Sequence, residues 1–233
     1  RTWQPNRCEF VVWRPGNYAV KTSTGRVIHF NVPQLPEPPK LLGPWEVRFQ
    51  PEWGGPEKIS LEKLLSWHEH PDPGVKYYSG RAVYRASLEV DPPLPRDRGE
   101  VILDLGQVAV VAEVKVNGNL AGILWKPPYC VEISKFLDRR LNTLEIAVVN
   151  LWVNRQIGDE FLSEDSERNP NGTLRKWPDW LLNGQPSLSG RRTFTSWRLW
   201  KKDDPLQPSG LLGPVTLRRG VTVEMNLDKQ TNK

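Results

Sequence analysis

Apolar residues recur at every second position in four separate stretches of this sequence. Trp45, Val47 and Phe49 alternate with Glu46, Arg48 and Gln50, and Ala82, Tyr84, Ala86, Leu88 and Val90 repeat the pattern. Val108, Val110, Ala112, Val114 and Val116 do so again, and Leu144, Ile146 and Val148 form a fourth series. A period of two puts neighbouring side chains on opposite faces of a strand, so each stretch has one face to bury and one to leave in water. Strands of this kind are stable only when packed against a second layer, which points to a sandwich. The third series ends at Asn117-Gly118, a pair that tolerates the positive φ of a tight hairpin. The 22 Pro and 18 Gly are spread along the chain, as a fold of many short strands and turns requires. Ser60 to Trp67 is the one segment that reads as a short helix, with Ser60 as N-cap and Leu61, Leu64 and Leu65 on one side.

Residues 9–32 read as a hairpin: Phe10 to Trp13, a turn at Arg14-Pro15-Gly16-Asn17, Tyr18 to Lys21, then Val27 to Val32. A stiff proline-rich stretch, Pro33 to Pro39, follows it. The expected division is a β-hairpin remnant of a preceding β-domain over 1–36, a linker over 37–44, a sandwich over 45–220 and a tail over 221–233. The chain begins at Arg1 with no initiator Met or signal peptide, and reads as a piece of a longer protein or a processed form. Its 233 residues suffice for one sizeable core without disulfides, and Cys8 and Cys130 are too far apart to form a framework or a zinc motif. The net charge of +5 comes from scattered basic doublets with acids nearby, so no nucleic-acid partner is expected. No apolar run is long enough to cross a bilayer as a helix, and no membrane partner is expected.

Two segments break the alternation: Asn154 to Gln185, polar and punctuated by Trp177 and Trp180, and Trp197 to Pro208. Long excursions inside compact domains are often functional. Tryptophan is over-used, with 11 Trp against 5 Tyr and 6 Phe. Trp45 sits on the apolar phase of a strand and reads as core. Trp125 lies in Leu124-Trp125-Lys126-Pro127-Pro128-Tyr129, where two prolines stiffen the loop and present Trp125 and Tyr129 either as a sugar platform or as pins for the loop.

The run Val114-Lys115-Val116-Asn117-Gly118, with Trp125 to Tyr129, Val131-Glu132-Ile133 and Asn142 to Ile146, resembles the sugar-binding-like β-sandwich of family 2 glycoside hydrolases. Tyr77 to Arg85 fits the first long strand of the same module. Gly43 to Val47, Asn150 to Glu160, Trp177-Pro178-Asp179-Trp180-Leu181 and Ser209 to Val215 are similar to the C-terminal region of family 106 glycoside hydrolases, the α-L-rhamnosidases. This resemblance covers about residues 9–218. It implies a galactose-binding-like jelly-roll β-sandwich attached to a catalytic barrel that carries the catalytic carboxylates, so no catalytic residue is expected in this chain. It further implies carbohydrate partners such as plant or pectic rhamnose-containing oligosaccharides, the rest of the parent hydrolase as a second partner, and a secreted or periplasmic location. The competing reading is a purely structural domain that braces the parent and binds no glycan.

Candidate sugar-binding residues are Trp125, Lys126, Tyr129, Arg155, Asp159, Trp197, Arg198 and Lys201, with the expectation that at least two of the three unusual connections converge. The acids Asp159, Glu160, Glu164 and Asp165, with Asp203 and Asp204, read as solvated loop charges rather than a hydrolase pair. Either no ion or one structural calcium is expected, its oxygen ligands drawn from Asp104, Asn150, Asp159 or Glu160, and no other cofactor. His68-Glu69-His70 with Asp72 offers two imidazoles but no further metal ligand, and Asn171-Gly172-Thr173 reads as a turn or a glycosylation acceptor.

Overall fold

The computed structural model describes residues 7–91, 99–138 and 140–226. Arg139, and the parts of the expected hairpin remnant and tail over 1–6 and 227–233, lie outside the described residues. The chain runs through β1 (Arg7–Val12), β2 (Gly16–Lys21), β3 (Val27–Val32), β4 (Lys40–Arg48), β5 (Lys58–Leu61), a short helix α1 (Pro73–Lys76) and β6 (Arg81–Glu89). It continues with β7 (Glu100–Asp104), β8 (Gln107–Ala109), β9 (Val111–Val116), β10 (Asn119–Leu124), β11 (Cys130–Glu132) and β12 (Leu141–Val149). It then leaves the sheets through α2 (Val153–Asp159) and α3 (Asp179–Leu182) and returns at β13 (Gly210–Gly213) and β14 (Thr216–Asn226).

One sheet has the strand order β10-β9-β12-β6-β4-β5, and a second has β1-β14-β7-β11. Trp45 and Val47 of β4, Tyr84 and Leu88 of β6, Val114 of β9 and Ile146 of β12 meet Val101 and Leu103 of β7 in a single buried cluster. Each such side chain contributes roughly 1.5–3 kcal/mol by leaving water, enough for the alternation to dictate which face of each strand turns inward. The outer face of the larger sheet is polar and carries cross-strand ion pairs, among them Arg85–Glu145 at 2.7 Å. The chain is therefore the all-β sandwich expected from its period-two stretches. Asn117 and Gly118 turn β9 into β10 with φ of 50° and 79°, the left-handed pair that such a hairpin requires.

Five details differ from the expectation. The helix over Ser60–Trp67 does not form: Lys58–Leu61 is an edge strand with Leu61 opposite Trp45, and Trp67–Glu69 is a single 3-10 turn. An isolated helix of eight residues is marginal, whereas the ladder to β4 satisfies the backbone and buries Leu61. The series from Val108 to Val116 is two strands, because β8 pairs with β13 while β9 pairs with β12 and β10. Residues 40–42, expected as linker, already pair with β6, Lys40 facing Glu89. Residues 221–226, expected as tail, are strand and lie along β1. The hairpin expected over 9–32 is present as β2 and β3, with β1 ahead of it joined instead to β14.

Tyr84 ties three elements together at the centre. Its fully buried phenol oxygen accepts hydrogen bonds from Trp67 Nε1 at 2.6 Å and from the Leu211 N–H at 3.0 Å. Burial pushes its pKa up, so it stays neutral. Gly210, with φ of 91°, lies against this group: a Cβ there would sit 2.5 Å from Trp67 Nε1 and 2.7 Å from the Tyr84 oxygen. Gly210→Ala is expected to destabilise the domain by about 3 kcal/mol, from backbone strain together with overpacking. Urea denaturation would measure this, and an unchanged midpoint would refute the packing argument.

Candidate functional site

The excursion between β12 and β13 is held to the sandwich by side chains rather than by a ladder. Asn150 donates to the Tyr78 carbonyl and accepts from the Gly80 N–H, both at 2.9 Å. Asn154 does the same with Gln207, donating to its carbonyl at 2.7 Å and accepting from its N–H at 2.8 Å. Ser66 completes the anchorage of the returning chain, accepting from the Ser209 N–H at 2.8 Å and donating to its carbonyl at 3.1 Å. Buried backbone groups need partners, and these polar side chains supply them where no neighbouring strand exists.

On α2, Arg155 and Asp159 stand one turn apart and form an ion pair at 3.0 Å. Asp159 is 1% exposed, and its other oxygen accepts from the Arg192 N–H, the Thr193 N–H and the Thr193 hydroxyl at 2.9, 2.8 and 2.8 Å. Burial pulls the Arg155 guanidinium below its ordinary pKa, and Asp159 opposes that shift. Asp159, expected as a polar sugar contact, is thus buried and committed to positioning the far limb of the excursion.

The neighbouring acids are also engaged. Glu160 receives Arg191 Nη1 at 2.9 Å and Arg198 Nε at 3.1 Å. Glu164 pairs with Arg198 and, at 3.6 Å, with Arg168. The cavity among these charges measures about 20 Å³, room for roughly one water molecule and not for a glycosidic linkage. Of the acids read as solvated loop charges, Asp159 and Glu160 are instead buried or half-buried in an ion-pair network that reaches the exposed Glu164, whereas Asp203 is exposed.

The expected convergence of connections holds for two of the three. The Arg198 N–H donates to the Gly172 carbonyl at 2.9 Å, and Trp197 Nε1 donates to the Asn171 carbonyl at 3.2 Å, so the segments from Asn154 and from Trp197 lie together. Trp197 is still 55% exposed. Lys201 is exposed, in a turn where its N–H donates to Asp204. Tyr129 is half-buried, with its hydroxyl donating to the Val110 carbonyl at 3.1 Å, and pins its loop. Trp125 is 67% exposed, with Lys126 Nζ 5.2 Å from its ring centre. Leu124 pairs with Ala112, and Ala112 pairs with Val148, so this loop leaves the sheet at the end where β12 runs into α2. Two strand spacings, about 10 Å, separate them. Among the described residues no hydrogen bond, ion pair or ring contact joins Trp125 to Arg155, Asp159 or Arg198.

The four residues offered as sources of calcium ligands each have protein partners. Asp104 accepts from the Gly106 N–H, Asn150 is committed to residues 78 and 80, and Asp159 and Glu160 face arginines. Among the described residues no group of three His, Cys, Asp or Glu is placed to hold a metal. His70 accepts from the Asp72 N–H, and Asp72 caps α1 by accepting from the Gly74 N–H, so both shape a turn. Asn171 likewise accepts from the Thr173 N–H and hydroxyl. Sequence reading missed a second cleft, about 380 Å³, on the outer side of the excursion, walled by Trp177, Trp180 and Leu188. The two tryptophans were visible as punctuation; Phe194, which holds both rings, carried no signal.

Asp159→Ala is expected to cost about 3 kcal/mol or more, because it strands the Arg155 charge and frees residues 192–193. Faster trypsin cleavage at Arg168, Arg175 and Arg191 should accompany the loss. Lys201→Ala should change stability by less than about 0.5 kcal/mol. Equal effects of the two substitutions would show that Asp159 does not hold the excursion.

No family model matches the chain. A protein of Formosa agariphila described as a "Putative beta-glucuronidase" is 40% identical over 213 residues, which is 91% of this chain and 18% of that protein. The structure of a rhamnosidase from Novosphingobium sp. PP1Y superposes with a TM-score of 0.60 at 29% identity, covering 91% of this chain and 21% of that one. The chain thus spans about a fifth of the length of these relatives. The chain is thus similar to a β-sandwich part of proteins described as glycoside hydrolases, the class that its motifs resemble.

Proposed function

We propose that this domain is an accessory module of a glycoside hydrolase resembling the family 106 α-L-rhamnosidases, and that it recognises carbohydrate with the loops at one end of the sandwich. The observation that carries this reading is Trp125, 67% exposed on a proline-stiffened loop that leaves the sheet at the same end as the excursion. An aromatic face held open to water is what a pyranose C–H surface packs against, and Lys126 beside it supplies a donor for hydroxyls. Trp197 and Lys201, both exposed, are the remaining polar and aromatic contacts of this reading. Rhamnose-containing oligosaccharides of plant or pectic origin are the proposed ligands, with a secreted or periplasmic location, where such polymers are met.

A second reading is supported by the apolar side chains the excursion leaves in water: Leu151, Trp152, Phe161, Leu182, Trp197 and Leu199 are 43–67% exposed. Such a surface suits a domain that braces the catalytic part of its parent without touching glycan.

Calorimetric titration of the chain with rhamnose-containing oligosaccharides separates the two. Under the first reading Trp125→Ala weakens binding by about 1 kcal/mol or more and leaves the melting temperature nearly unchanged, since an exposed ring adds little to the core. Absence of binding to the whole panel, or a fall in melting temperature with unchanged affinity, favours the bracing domain.

A further inference from the structure

The cleft on the outer side of the excursion uses none of the sugar-contacting side chains assigned above, and its construction is specific. Trp177 is 53% exposed, with its ring packed at 5.7 Å on Phe194; Trp180 meets the same phenyl edge-on at 5.9 Å and donates its Nε1–H to the Asp165 carbonyl at 3.0 Å. The backbone that follows Trp177 is closed on itself, the Leu181 N–H donating to the Pro178 carbonyl at 3.1 Å and the Gln185 N–H to the Trp180 carbonyl at 2.8 Å, with Asn183 Nδ2 donating to the Asp179 carbonyl at 2.8 Å. The Trp177 face is thus fixed before any ligand arrives, which removes an ordering cost that a mobile loop would pay. Opposite it stands Leu188, 98% exposed, an apolar side chain with no packing role in the domain. The volume of about 380 Å³ falls within the range of small-molecule sites.

The polar lining decides which ligand fits. The Gln185 amide and the Glu167 carboxylate make no hydrogen bond among the described residues and are open to hydroxyl groups. Lys176 and Asp179, both exposed, pair at 3.5 Å, and with Asp165 and Glu167 the lining carries three negative charges against one positive. A carboxylate-bearing sugar would meet like charge and apolar walls together.

Resting on the carbohydrate-recognising reading above, we infer that the Trp177 cleft is a separate sugar subsite that takes an uncharged pyranose unit and rejects uronic acids. A neutral ring stacks one face on Trp177, places an apolar edge toward Leu188 and directs hydroxyls to Gln185 and Glu167.

The test uses the full chain with two probes of equal length, a neutral rhamnosyl-terminated oligosaccharide and an oligogalacturonide, read by the indole N–H resonances of the individual tryptophans. The neutral probe should shift Trp177, and Trp177→Ala should weaken that event about tenfold. Because Trp177 also packs on Phe194, Gln185→Ala and Glu167→Gln provide variants at exposed positions whose side chains make no hydrogen bond among the described residues; each should weaken binding at this site with no change in melting temperature. Glu167→Lys should move preference toward the oligogalacturonide. Shifts confined to Trp125, unaffected by the Trp177, Gln185 and Glu167 variants, would overturn the subsite and leave the carbohydrate reading intact. Equal shifts of Trp177 by the oligogalacturonide would overturn the charge selectivity. No shift of any tryptophan by either probe would overturn both readings.

Discussion

One buried carboxylate governs whether the most elaborate part of this domain has a shape at all. Asp159 accepts three hydrogen bonds from residues 192–193 and pairs with Arg155, joining the two limbs of an excursion that no sheet organises. The carboxylate has left water, so its partners must be complete; a buried charge with one partner removed is among the costliest defects a protein can carry. Everything beyond it follows from that closure. Arg192, fixed through its N–H, reaches the Glu52 carbonyl with its guanidinium, and Arg191 reaches Glu160. Both tryptophan-lined surfaces of the excursion sit on a frame set by these contacts.

The division of labour between apolar and polar groups is correspondingly sharp. Within the sandwich, order comes from burial: Val47, Tyr84, Leu88, Leu103 and Ile146 are inaccessible to water, and the ladders follow from which faces they share. Outside it, order comes from hydrogen bonds to Asn150, Asn154, Ser66 and Asp159, all of them at least nine-tenths buried. Polar residues at these depths are costly when unpaired, so each fixes a single arrangement of the loop it holds.

This division also explains what could be read from the sequence. The period-two stretches are local, and the sandwich, the Asn117-Gly118 hairpin and the core position of Trp45 were legible from them. The helix expected at Ser60–Trp67 was not real, because its leucines answered to a strand neighbour and to the core, not to one another. The role of Asp159 was invisible because its partners lie 33 and 34 residues away, and a list of acidic residues looks the same whether it faces water or arginine. Trp125 was recognisable as a platform candidate because prolines mark its loop locally. Trp177 was not, since what makes it a wall is Phe194, seventeen positions on, supporting it from behind.

The pairing of β1 with β14 has a mechanical side. Arg7 faces Asn226, while β14 begins at Thr216 opposite Asp104, the end of β7 nearest the excursion. The two strand ends therefore lie side by side, on the order of 35 Å of strand away from the loops that carry the exposed tryptophans. Tension applied through Arg7 and Asn226 would load this ladder one rung at a time, as a zipper, and not all rungs together in shear. The whole of this ladder, Val221 to Asn226, lies beyond Gly220 and, among the described residues, has no second neighbour on β7 to share the load. A pull at that pole would peel β1 before it reached the sandwich, leaving the excursion at the opposite pole undisturbed.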